Sequence, residues 1–401
     1  MPRLYQLCAL LLLVLPLAAC QRDAAPLPND AYVWQRAWTP ALVQALRASD
    51  DIVAAWHVLG AEMDAGGRWA DTAPDYATLA ALREPVVLVL RLDGRADRLD
   101  ADAIRARLHE RMQAWRAAGV RIGGVEIDYD CATARLPAYA VLLRLLRDGL
   151  DVPLAITALP TWLQSPDLDT LLAVPDSSIL QVHAVLDPAL GLFNPRRAAA
   201  WVKDYARRTQ RPWRVALPSY GTRVAWDEAG RILTVESERP TLAPSSRDAE
   251  LVAQPKVLAQ FSAELEQQRR QRQRQLAGLA GLVWFRLPTD QDQRAWSLAT
   301  WRAVLTRQPL QSELTITLDG AGPARDMLLA NRGNSDAPLP GIIRIAGDCA
   351  AADGINGYAL ERDSAGLYLR STHEGLLRAH FQRNIGWLRC NDAQPRLTFA
   401  Q

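Results

Sequence analysis

Past its first twenty residues the sequence has no apolar run long enough to cross a bilayer. It is poor in cysteine and in phenylalanine, with 5 of each in 401 residues. Neither sign of charge dominates: 46 Lys and Arg against 44 Asp and Glu leave a formal net charge of +2. That balance argues against a nucleic-acid partner, which would call for a concentrated basic surface. The densest basic tract, residues 269–275, follows Glu264 and Glu266 in a helical pattern and reads as a solvated helix face. No glycine-rich phosphate loop follows the first strand pattern, which leaves a nucleotide-binding sheet without support.

The beginning of the chain has the composition of a secretion signal over residues 1–19. Arg3 supplies the positive flank, Leu7 to Leu17 the apolar stretch, and Ala18 and Ala19 the small residues. Leu17-Ala18-Ala19-Cys20 resembles a bacterial lipobox, which implies cleavage before Cys20 and lipidation of that cysteine. Gln21 and Arg22 differ from the aspartate-type retention signal, so the resemblance implies an outer-membrane lipoprotein facing the periplasm. Residues 20–30 read as a short tether. Cys8 would leave with the signal, so Cys131, Cys349 and Cys390 remain. Cys349 and Cys390 share the C-terminal region and could form a disulfide in an oxidising compartment.

Residues 31–307 repeat one unit, a short apolar strand followed by a helical stretch. The strands are expected at 32–38, 51–59, 86–94, 121–130, 152–160, 178–186, 213–221 and 281–288. Most read as continuous apolar runs, as strands covered on both faces do. Helical spacing fills the gaps: Asp100 caps the stretch from Ala101 to Ala118, and Pro137 and Pro195 suit first-turn positions. Eight such units predict an α/β fold, a closed (β/α)8 TIM barrel; an open doubly wound sheet is the alternative. The connection at 222–280 is an insertion holding a hairpin (222–237), a serine/proline-rich loop and a polar helix from about 255 to 275. After residue 308 the pattern becomes short alternating strands with Asn, Gly, Asp and Pro turns. This predicts a small all-β, sandwich-like domain at 308–401. It lacks a row of exposed aromatics, which favours a cover for the barrel over a glycan-binding module.

The densest chemistry lies at Gly123-Gly124-Val125-Glu126-Ile127-Asp128-Tyr129-Asp130. On a strand, Glu126, Asp128 and Asp130 stand in one row on one face, ~7 Å apart at Cα, with Val125, Ile127 and Tyr129 opposite. If the apolar face meets the helices, the acids point into the barrel, and shared charge can raise one pKa enough for general acid catalysis. Asp130, outermost, would reach the substrate; Asp128 would orient it, and Glu126 would sit deeper as a charge partner. A hard-cation site or a purely structural network are the other readings; neither a metal nor an organic cofactor is expected.

Trp34, Arg36, Arg91, Asp93, Gln181, His183, Tyr220, Trp284 and Arg286 fall on or just beyond the other strands. The arginines could pair the acids, the remaining polar groups could bind hydroxyls, and the tryptophans could stack on sugar rings. Thirteen Trp against 5 Phe make a carbohydrate ligand the natural expectation, with Trp284 as the leading stacking residue.

GGVEIDYD, LPSYGTR and GLVWF together resemble a chitinase-like glycoside hydrolase barrel. In that family strand four ends in Asp-x-Asp-x-Glu, whose last residue is the general acid and whose middle acid orients the substrate's N-acetyl group as internal nucleophile. By position the resemblance implies Asp130 as the acid, Asp128 as the middle acid and Glu126 as the inner one. Tyr220 matches the strand-seven tyrosine and Trp284 the tryptophan at the barrel floor. Here the order is Glu-x-Asp-x-Asp, so the acid is one methylene shorter; a misplacement of about 1 Å costs roughly 10²-fold in rate. QVHAVL also lacks the Met-x-Tyr pattern of strand six. As a whole the chain is similar to an uncharacterised family of bacterial lipoproteins with such a barrel. The expected function is a glycoside hydrolase; the alternative is a degenerate barrel that binds a glycan or an envelope protein without cleaving it.

Overall fold

A computed structural model of the chain describes residues 25–96, 98–183, 191–236, 247–271, 275–292, 294–373, 375–391 and 395–400. The expected signal segment, Cys20 and the start of the expected tether lie outside the described residues.

The first twelve strands are β1 (Asn29–Val33), β2 (Trp56–Met63), β3 (Trp69–Asp71), β4 (Val86–Leu92), β5 (Ile122–Tyr129), β6 (Leu154–Ala158), β7 (Ser177–Gln181), β8 (Trp213–Pro218), β9 (Gly221–Trp226), β10 (Ile232–Glu236), β11 (Arg247–Val252) and β12 (Leu279–Phe285). β1, β2, β4, β5, β6, β7, β8 and β12 pair in parallel in that order. Pairing of β12 with β1 closes the ring, so the architecture is the eight-stranded barrel and not the open sheet. The strands close because they are apolar on both sides. In β4, Val86, Leu88, Val89, Leu90 and Leu92 are all buried, some against helices and Val89 in the lumen.

Among the described residues eight α-helices flank the barrel strands: α1 (Pro40–Arg47), α2 (Tyr76–Ala80), α3 (Ala101–Ala117), α4 (Leu136–Arg147), α5 (Leu168–Leu172), α6 (Pro195–Arg208), α7 (Pro255–Gln271) and α8 (Leu298–Leu305). Local chemistry starts several of them. The Asp100 carboxylate accepts from the Asp102 and Ala103 amides, Asn194 caps α6 ahead of Pro195, and Ser297 caps α8.

The first two strands differ from expectation. β1 begins inside the expected tether, because Leu27 and Asp30 are buried. It ends at Val33, where the Gln35 side chain takes the Trp34 amide at 3.1 Å. β2 starts five residues later than expected, after a turn over 51–55, and runs to Met63. The insertion holds the expected hairpin, β9 with β10, reversing through Asp227 and Gly230. It also holds an unexpected third strand: β11 pairs with β9 where only a loop and helix were anticipated.

The C-terminal part comprises β13 (Leu314–Asp319), β14 (Ala324–Asn331), β15 (Ala337–Pro338), β16 (Ile342–Ala346), β17 (Cys349–Gly354), β18 (Tyr358–Asp363), β19 (Gly366–Ser371), β20 (Leu376–Leu377), β21 (Gln382–Cys390) and β22 (Arg396–Phe399). Two antiparallel four-stranded sheets, β13-β14-β21-β17 and β18-β19-β16-β22, enclose a separate core around Leu329, Ile343, Leu369 and Leu388. Asp336 fastens it to the barrel: its carboxylate accepts from the Ser297 amide at the start of α8 and from the Ala379 amide, both at 2.8 Å.

Within this domain Cys349 and Cys390 form a disulfide across β17 and β21, 41 residues apart in sequence. Closing a loop of that size stabilises a fold by roughly 2–4 kcal/mol, mainly by restricting the unfolded chain. Cys349→Ser should therefore lower the unfolding free energy by about that amount in denaturant titrations. A loss under about 0.5 kcal/mol would contradict this account.

Candidate active site

The alternation on β5 builds the site. Val125, Ile127 and Tyr129 pack outward into the core shared with the helices. Glu126, Asp128 and Asp130 run up the inner face from the middle of the barrel to its C-terminal mouth. Register puts Glu126 between Val89 and Ala155, and Asp128 level with Arg91. Exposure rises along the row: Glu126 is fully buried, Asp128 is 7% exposed and Asp130 is open to solvent. Gly94 lets the β4 end pass close to this mouth, since a Cβ there would collide with the Asp130 carbonyl.

A buried carboxylate needs compensation, and Glu126 receives it from three strands. The Tyr32 hydroxyl from β1 and the Thr157 hydroxyl from β6 donate to Oε1 at 2.6 and 2.8 Å. His57 Nδ1 from β2 lies 2.6 Å from Oε2. Its Nε2 lies 3.4 Å from Asp30 Oδ2, and the Arg214 Nε is 2.6 Å from the same oxygen. Burial alone would push the His57 pKa down, but Glu126 and Asp30 outweigh it and raise it to about 9.

The outer acids shift the other way from free carboxylates. Desolvation raises the Asp128 pKa well above its ordinary value. The Asp130 and Glu126 charges add to that, while Arg91 opposes them from 3.9 Å. Asp130 is raised as well, first by desolvation at the rim and then by Asp93, again with Arg91 opposing. Two neighbouring acids that resist ionisation hold a proton at higher pH than either would alone, which is what a general acid requires. Among the described residues no hydrogen bond or ion pair ties down the Asp130 carboxylate, so it is not locked by an arginine.

The other expected residues divide. Trp34 lies in the lumen with Arg91 over its ring at 5.8 Å. His183 and Tyr220 meet just past the ends of β7 and β8, with the tyrosine hydroxyl 3.4 Å from Nδ1. Burial lowers the His183 pKa to about 3, so the ring is neutral. The Gln181 side chain donates to the His183 carbonyl at 3.1 Å. Asp93, held down to about 2 by Arg95, sits at the rim as a fixed anion. Arg36 lies at the rim in a two-pronged pair with Glu62, both contacts 2.6 Å.

Two expectations need correction. Trp284 does not sit on the barrel floor: it faces the helical shell, packs on Trp296 and donates from Nε1 to Asn29 at 3.0 Å. Strand parity decides this, because its neighbour Phe285 takes the inward position. Phe285 is half-buried and lies 5.2–5.6 Å from the rings of Trp34, Tyr32, Tyr220 and His183. Arg286 does not neutralise the row; it is buried against Asp292 six residues on.

The sequence pattern of a family described as a domain of unknown function, DUF3142, matches residues 83–290, over half of the chain. The protein belongs to that family. The matched stretch spans β4 to β12, the row and Phe285 included. A second domain of unknown function, DUF8456, matches residues 314–391 in the C-terminal sheets. No curated protein matches. Among solved structures the chain is similar to a chitinase from Chromobacterium violaceum ATCC 12472, with 12% identity, TM-score 0.47, and coverage of 70% of this chain and 98% of that one. It is also similar to the Bacillus cereus spore cortex-lytic enzyme SleL (14%, TM-score 0.46, 71% and 75%) and to a tamarind chitinase-like lectin (13%, TM-score 0.42, 71% and 99%). These likenesses are remote.

Asp30, His57, Thr157 and Phe285 of this DUF3142 protein escaped sequence reasoning. The histidine inside the apolar run WHVLGAEM was the available signal. Among the described residues no cluster of three or more His, Cys, Asp or Glu side chains could hold a metal.

The His57 shift has a measurable consequence. A histidine whose folded pKa is raised stabilises the fold fully below its free value near 6.5, and that contribution is lost as pH rises through about 9. Unfolding free energy should fall by about 3 kcal/mol between pH 6 and pH 10, and His57→Asn should flatten that slope. An unchanged slope in the variant, measured by denaturant titration across pH, would refute the assignment.

Proposed function

We propose that the protein is a glycoside hydrolase acting on an envelope or environmental oligo- or polysaccharide, with Asp130 as general acid. The observation that carries this reading is the graded row: an anchored Glu126, a shielded Asp128 and an open Asp130 on one strand. Protonated Asp130 would hand its proton to the glycosidic oxygen. The bond from that oxygen to the anomeric carbon breaks and leaves its electron pair on the departing sugar. The substrate's own N-acetyl carbonyl oxygen attacks the anomeric carbon while Asp128 orients it and offsets the developing positive charge; a water, giving one proton to the Asp130 carboxylate, then opens the cyclic intermediate and leaves its hydroxyl on the anomeric carbon. Acids on a single strand suit this route, since a nucleophile from the substrate itself removes the need for a second carboxylate across the ring. Phe285, set against Trp34 at an interplanar angle of 62°, supplies an apolar ring for a sugar face, and Tyr220, Gln181 and Arg91 supply groups for hydroxyls.

A second reading is a barrel that binds a glycan or an envelope protein without cleaving it. It is favoured by the shortness of Asp130, whose carboxyl is withdrawn by one methylene from the reach of a glutamate. A panel of oligosaccharides, with N-acetylated ones included, separates the two. The hydrolase predicts turnover by wild type, a loss of at least 10²-fold in Asp130→Asn, and recovery or gain in Asp130→Glu. Absence of turnover on every sugar, or turnover indifferent to Asp130→Asn, would sink it. Saturable binding weakened by Phe285→Ala would then support the binding module.

We also propose that Cys20 anchors the protein in the outer membrane, facing the periplasm; the Leu17-Ala18-Ala19-Cys20 sequence motivates this. Metabolic labelling with a palmitate analogue should mark the wild type and not Cys20→Ala. Equal labelling of both would end the proposal.

A further inference from the structure

The opposite end of the barrel holds a second concave site. Its N-terminal opening contains a cavity of about 330 Å³ lined by Asp30, His57, Gly124, Ala155, Ser177 and Arg214, among others. These residues are among the first three of β1, β2, β5, β6, β7 and β8, at the opposite ends of the strands from the mouth where Asp130 follows β5. Barrel layers are ordinarily filled by bulky branched side chains. Here Gly124, Ala155 and Ser177 are small, and their size opens the space. The volume is at the lower end of ligand cavities, ~300–1,000 Å³.

The cavity keeps unspent polar capacity. Asp30 is 1% exposed, and its Oδ1 has no hydrogen-bond partner among the described residues, although Oδ2 is engaged by His57 and Arg214. A buried carboxylate oxygen without a donor is costly, so a ligand presenting N–H groups gains from meeting it. Arg214 Nε pairs with Asp30 Oδ2 by charge at 2.6 Å but makes no hydrogen bond among the described residues, and its side chain remains 27% exposed at the edge of the same space. A guanidinium carries five N–H donors in a fixed fork suited to a carboxylate. The charged groups that line the space balance, Asp30 and Glu84 against His57 and Arg214, which favours a ligand of zero net charge.

We propose that this cavity binds a small zwitterion, an α-amino acid of the size of glycine or alanine, with its ammonium on Asp30 Oδ1 and its carboxylate on the Arg214 guanidinium. The site lies outside the carboxylate row, and its occupancy is read without any sugar present, so its failure and the failure of the hydrolase reading are separate results.

The test is calorimetric titration of the full-length protein with glycine and alanine, and with methylammonium and acetate as half-ligands. Saturable binding of an amino acid is expected, with each half-ligand at least tenfold weaker. Asp30→Asn should weaken amino-acid binding at least tenfold. Because Asp30 also contacts His57 and its loss could disturb folding, Gly124→Val provides the second variant. A Cβ at Gly124 would meet only ordinary contacts at 3.4–3.9 Å, so the barrel can accept it while the added methyls fill the cavity. Tenfold loss in a Gly124→Val protein with a native melting profile supports the site. No saturation by either amino acid, methylammonium binding as tightly as glycine, or full binding by folded Gly124→Val would overturn it.

Discussion

The interior depends on the contact between the Glu126 carboxylate and the His57 imidazole, 2.6 Å apart with neither side chain more than 5% exposed. A carboxylate in that position would be strongly destabilising if unpaired, and the closed barrel offers it no water. His57 answers the charge from β2, while Tyr32 and Thr157 satisfy the remaining acceptor positions from β1 and β6. The three neighbours come from different strands, so these contacts tie β5 to β1, β2 and β6 through the lumen. Removing either partner leaves the other as a lone buried charge. That asymmetry is why such a pair is expensive to break even where its net contribution to stability is small.

From that centre, polarity continues in both directions along the axis. Toward the mouth come Asp128 beneath Arg91, then the open Asp130 with Asp93 nearby. Toward the floor come Asp30 and Arg214. Charges of alternating sign replace part of what would otherwise be layers of branched aliphatic side chains. The aromatic residues divide accordingly. Trp56, Trp115, Trp162, Trp213, Trp284, Trp296 and Trp301 are fully buried, and all seven belong to the large core between strands and helices, where wide apolar rings fit. Tyr32, Trp34 and Phe285 share the lumen cluster, so the candidate platform for a sugar is a phenylalanine in a chain that has few of them.

The barrel's strand count, the Asp100 cap and the position of the acid row were legible because each is local. Asp100 caps α3 through amides two and three residues on, and continuous apolar runs mark strands covered on both faces. The direction of the row was legible too: Glu126, Asp128 and Asp130 on one face and Val125, Ile127 and Tyr129 on the other leave a single arrangement without buried charge against the helices. Trp284 shows where such reading stops. On GLVWF both Trp284 and Phe285 are large and apolar, so nothing in the alternation tells which one faces inward. The pairing of β12 with β8 and β1 settles it. Arg286 went the same way, because Asp292, its partner, reaches it only through the loop after β12.

By itself the sequence determined the repeating strand–helix rhythm, the change to a β-rich C-terminal part and the inward face of β5, since all three follow from periodicity along the chain. The tertiary structure alone decided what compensates the acids. His57 is 69 residues from Glu126, Asp30 lies 27 residues before His57, and Phe285 gathers rings from β1 and from the ends of β7 and β8. Closure of the barrel brings those groups together. The free energy of a buried charge depends on what surrounds it in space, and no spacing along one strand contains that information.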